Sequence, residues 1–121
     1  MDKMAAKKFQ GESIPAWAVK HMMYITKKEK PMDALETYLL MNDRNIHSEL
    51  VKQDVLILSG REDHFIPFKM HRKQLKALTR AKSVSERVFT KTDLAQNHCQ
   101  IGNLGLALDV MADWIRRTSE E

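Results

Sequence analysis

The sequence of 121 residues holds a single cysteine, Cys99. No internal disulfide framework can staple it, and the chain suits a reducing compartment. It has no apolar run of the roughly 18 residues that a membrane-spanning helix needs. The opening M-D-K-M-A-A-K-K-F carries lysines without the apolar stretch of a secretory signal. A cytoplasmic protein with no membrane partner is the expectation. Metal and nucleotide signatures are also missing: there is no C-x-x-C, H-x-x-x-H, H-E-x-x-H, G-x-G-x-x-G or P-loop. A zinc site drawn from Asp63, His64, His71, His98 and Cys99 would rest wholly on tertiary placement, so neither metal nor cofactor is expected. Repeats, low-complexity tracts and interdomain linkers are absent too.

What is present is ordinary for a soluble globular chain: 43% apolar and 30% charged residues. The length permits one domain with a modest core. The net charge of +4, which counts histidine as neutral, owes much to Lys69, Arg72, Lys73, Lys76, Arg80 and Lys82, and His71 falls among them. On a helix, Phe68, Leu75 and Leu78 would face inward and these basic residues would take the rest of the circumference. A solvated face is the reading. A nucleic-acid surface would interleave stacking aromatics or carry a known binding motif, so no nucleic-acid partner is expected.

In chain order, Ser13 caps a first helix with Pro15 in its first turn and Ile14, Trp17, Ala18, His21, Met22 and Ile25 at helical spacing. A second helix runs from Pro31 through Leu35 and Leu39 to about Asn42, where Asn42-Asp43-Arg44-Asn45 reads as a turn. Residues 46–52 form a short connection. From Asp54 to Ser59 the chain reads as a strand whose apolar core, Val55 to Leu58, has no polar interruption, as in a strand covered on both faces. A helix from about Phe68 to Leu78 leads to a second, edge-like strand near Val84 to Thr90. A last helix opens near Ile101 to Leu104 and carries Leu104, Leu108, Met111, Trp114 and Ile115 as its stripe.

Asp63 lies just past the carboxyl end of the first strand, where ligands and catalytic groups collect in open α/β sheets. His98 follows 35 residues later in a polar loop after the second strand. One helix and one strand fit between them and return both to the same sheet edge. A carboxylate so placed fixes the imidazole tautomer and frees the other nitrogen for proton transfer. Glu62 and His64 are neighbours that could substitute. Cys99 adjoins His98, but Cys-His chemistry relies on contact across the fold rather than on sequence adjacency.

The run V-L-I-L-S-G-R-E-D-H-F-I-P, then a helix, a strand and N-H-C-Q-I-G-N, resembles the C-terminal portion of the α/β-hydrolase family. That resemblance implies an α/β fold, here a partial α/β-hydrolase fold of two parallel strands with flanking helices (residues 53–121) behind an N-terminal helical, lid-like segment (1–52). It implies Asp63 as the triad acid and His98 as the histidine. The family's G-x-S-x-G elbow is absent: the six serines, at 13, 48, 59, 83, 85 and 119, all lie outside such a pattern. A complete enzyme of that family needs roughly twice this length. The expectation is therefore a C-terminal fragment of an esterase-, lipase- or peptidase-like serine hydrolase, inactive alone, whose acyl substrate would be taken only with a missing N-terminal half. The other reading is a binding or assembly module that keeps the fold without the chemistry. A homo-oligomer or the missing N-terminal half is the expected partner, because two strands are fewer than usually stand alone.

Overall fold

The computed structural model describes residues 13–120. The described residues divide into two compact units, residues 13–46 and residues 47–120.

In the first unit, helix α1 spans Ile14–Thr26 and helix α2 spans Pro31–Leu39. Ser13 caps α1, its hydroxyl accepting the Ala16 N–H at 3.4 Å. The helix closes at Lys27, whose left-handed φ of 54° turns its N–H back onto the carbonyls of Met23 and Tyr24. Pro31 opens α2, which ends at Leu39 and not at Asn42. Beyond it, the Asn42 and Asn45 side chains donate to the Leu39 and Leu40 carbonyls and draw the chain into a turn. The two helices pack together over Ala34, which is fully buried.

The second unit begins with a single 3-10 turn at Ser48–Leu50 and contains a two-stranded parallel sheet. Strand β1, Asp54–Gly60, pairs with β2, Ser83–Phe89, in a register running from Asp54 opposite Ser83 to Gly60 opposite Phe89. Helix α3, Lys69–Ala77, connects the strands, and helix α4, Leu104–Ser119, closes the chain. The described residues thus form four α-helices and one parallel sheet, an α/β arrangement.

Strand alternation decides what each helix covers. Leu56 and Leu58 of β1 face α4 and line an apolar groove with Met111, Trp114 and Ile115. On the same face of β2, Ser85 accepts the Trp114 indole N–H at 3.2 Å, and Phe89 is wholly buried with Ala95 and Ala107. The opposite face carries Ser59 and Glu86, and α3 lies on it through His71.

Two expectations need correction. Val55 to Leu58 are half-buried, not covered on both faces, because β1 has one strand neighbour among the described residues. His71 does not join the solvated basic face. It is buried at 5% exposure, between Phe68, whose ring stacks on it at 5.3 Å, and the sheet.

Candidate functional site

Asp63 comes from the loop after β1 and His98 from the start of a short 3-10 segment, His98–Asn103, that follows β2, and the sheet brings the two together. After β1 the chain turns at Gly60. A Cβ there would strike the carbonyl oxygens of Gln96 and Asn97, so only glycine lets the loop bearing His98 lie this close. Two backbone bonds fasten the junction: the Arg61 N–H donates to the Phe89 carbonyl at 2.8 Å, and the Glu62 N–H to that of Gln96 at 2.9 Å.

Asp63 is then fixed by its own turn. Its Oδ1 accepts the backbone N–H groups of Phe65 at 2.8 Å and Ile66 at 2.9 Å. Its Oδ2 accepts from His98 Nδ1 at 2.8 Å. The carboxylate side chain is 11% exposed and the imidazole 35%. Burial pushes the Asp63 carboxyl upward, but the N–H of Ile66, the His98 ring and the N–H of Phe65 together hold it below the usual aspartate range.

An ionised carboxylate only accepts hydrogen bonds, so the proton of neutral His98 sits on Nδ1 and Nε2 keeps its lone pair. The Phe65 ring meets the imidazole edge-on at 4.9 Å and limits its rotation. On the other side the loop pays in backbone strain: Cys99 and Gln100, neither a glycine, have φ of 53° and 54°. Gly102 lets the following turn fold back against the Leu94 carbonyl, where a Cβ would collide.

Neither substitute takes a place in the pair. Glu62 forms an exposed ion pair with Lys91 at 3.2 Å, and His64 is an exposed ring leaning on Phe65 at 4.2 Å. Cys99 is exposed. Among the described residues no three His, Cys, Asp or Glu side chains gather as metal ligands.

The cavity beside the pair holds about 230 Å³. Asp63 and His98 line it together with Ser59 and His71, and Leu58, Ile66, Pro67 and Phe68 give it apolar walls. Ser59 and His71 in its lining belong to a second hydrogen-bonded chain: Ser59 Oγ is 2.7 Å from His71 Nδ1, and His71 Nε2 is 2.6 Å from Glu86 Oε2. Sequence reasoning missed this chain by counting His71 among the surface charges. The signal was its spacing: position 71 lies three residues after Phe68 and four before Leu75, on the inward stripe.

No family model, no curated protein and no solved structure matches this chain.

Proposed function

We propose that the chain is the C-terminal part of an α/β-hydrolase-type serine hydrolase, in which Asp63 is the acid and His98 the general base. The observation carrying this reading is the 2.8 Å bond from His98 Nδ1 to a carboxylate whose other oxygen is already saturated by two backbone N–H groups. That arrangement holds one tautomer and one ring orientation. His98 Nε2 would take the proton of an attacking hydroxyl, and Asp63 would stabilise the imidazolium so formed. The position beyond the carboxyl ends of parallel strands supports the same reading.

A general base needs a nucleophile, and in this reading an elbow serine supplied by another segment is the group that His98 serves. The cavity volume of about 230 Å³ suits a short acyl group; a dry apolar cavity of about 150 Å³ already accommodates benzene. Because acid and base do not replace a nucleophile, sustained hydrolysis of p-nitrophenyl esters by this chain should not rise above a His98→Ala control. Adding a segment that carries G-x-S-x-G and is encoded directly upstream should create turnover that His98→Ala abolishes. Sustained, His98-dependent turnover by the chain alone would overturn the assignment of the nucleophile. Turnover in the assembled pair that survives His98→Ala would overturn the role of the base.

A further inference from the structure

We propose that Ser59, His71 and Glu86 form a second serine–histidine–carboxylate relay, and that Ser59 is a nucleophilic hydroxyl which short acyl esters can acylate. The inference goes beyond the roles of Asp63 and His98 and does not depend on them. Its basis is geometry: a hydroxyl within hydrogen-bond reach of a base, and that base oriented by a third group, is the arrangement by which a serine is activated.

The three residues come from three elements. Ser59 is the penultimate residue of β1, Glu86 sits on the same sheet face in β2, and His71 points down from α3 between them. The imidazole side chain is 2% exposed, whereas that of Glu86 is 54% exposed, so the relay runs from solvent through a buried ring to the cavity. An ionised carboxylate can only accept, which places the neutral ring's proton on Nε2 toward Glu86. Nδ1 is then bare, and the 2.7 Å contact is the Ser59 O–H donating to it. Phe68, stacked on the ring at 5.3 Å and 12° between planes, keeps it from turning. A histidine serving only to tie α3 to the sheet would need no more than Glu86; here its other nitrogen is committed to a hydroxyl that lines the cavity.

None of the other five serines has such a partner among the described residues. Ser13 caps α1, Ser48 accepts from Gln74, Ser83 donates to Asp54, Ser85 accepts from Trp114, and Ser119 donates to the Ile115 carbonyl.

In the reaction, Ser59 Oγ attacks the ester carbonyl as its proton passes to His71 Nδ1. Collapse of the tetrahedral adduct breaks the bond to the leaving oxygen, which takes that proton from Nδ1 and departs as the alcohol. The acyl group remains as an ester on Ser59, and Glu86 stays hydrogen-bonded to Nε2–H throughout. With a fluorophosphonate the same hydroxyl forms the P–O bond, and fluoride leaves from phosphorus.

The test is to treat the full chain with a fluorophosphonate and map the modified peptide by mass spectrometry. One label per chain on Ser59 is expected, with none in Ser59→Ala and an unchanged rate in Ser85→Ala. Losing a positioned base costs about 10²- to 10⁴-fold, so His71→Gln should lower the labelling rate by at least about 100-fold. Glu86→Gln, an isosteric change at a side chain 54% exposed, should lower it by at least about ten-fold, which keeps the test decisive if His71→Gln does not fold. Label on another serine, no label at all, or Ser59 labelling at an equal rate in Glu86→Gln would overturn the proposal. Labelling of Ser59 and His98-dependent turnover are separate readouts, so either can fail without the other.

Discussion

Asp63 accepts three hydrogen bonds, and its ionised form is what they reward. Burial alone would raise its pKa, yet the two backbone donors and the imidazole bring it below the ordinary value. A carboxyl whose folded pKa lies below its unfolded one adds stability above the unfolded value, near about 3.9, and loses it as pH falls through the folded value. Urea midpoints at pH 6 should therefore favour the native chain over Asp63→Asn, and at pH 2 the difference should shrink. An equal difference at both pH values would mean that the charge on Asp63 does not contribute. This residue and His98 were legible in the sequence because each follows a strand pattern directly into a polar loop. His71 was not, because a histidine among the lysines and arginines of a basic helix reads as part of its solvated face, whereas its ring packs under Phe68. Nor can a sequence show that Ser59 and Glu86 share a sheet face until the register pairs Ser59 with Val88 and Ile57 with Glu86.

Among the elements, β1 was the most legible and also the most misjudged. Its four unbroken apolar residues marked it as a strand, and Asp54–Gly60 forms one. The same residues implied cover on both faces, and there the local pattern overreached, since burial depends on neighbours that a periodicity cannot count. Leu56 and Leu58 border an apolar groove of about 240 Å³ with Met111, Trp114 and Ile115, and β1 pairs with β2 alone among the described residues. A strand with unpaired backbone groups beside apolar side chains invites another strand. In α1 and α2, Trp17 at 52%, Tyr24 at 81% and Met32 at 63% exposure add apolar surface, while among the described residues of that unit only Ala34 is fully buried. Light scattering at low micromolar concentration should give a two-fold dimer, twice the 14.1 kDa chain mass. A cooperatively folding species at the single-chain mass would contradict it.

At the scale of the whole molecule, every group assigned a role lies in the unit of residues 47–120. The helix–strand order was readable there because hydrophobic period and turn residues are local signals. The junction of the two loops was less so, because it depends on Gly60 admitting the Gln96 and Asn97 carbonyls and on left-handed backbone at Cys99 and Gln100. Strained conformations at non-glycine residues are set by the surrounding fold and leave no composition signature. That junction sets His98 Nδ1 against Asp63 Oδ2, and the nitrogens of the ring report the pairing. Long-range proton–nitrogen NMR of the full chain, above the pH at which the ring is neutral, should find the His98 proton on Nδ1, with Nε2 bare. Asp63→Asn should shift that population toward the Nε2–H tautomer. A His98 ring carrying its proton on Nε2 in the native chain, unmoved by Asp63→Asn, would contradict the pairing of acid and base.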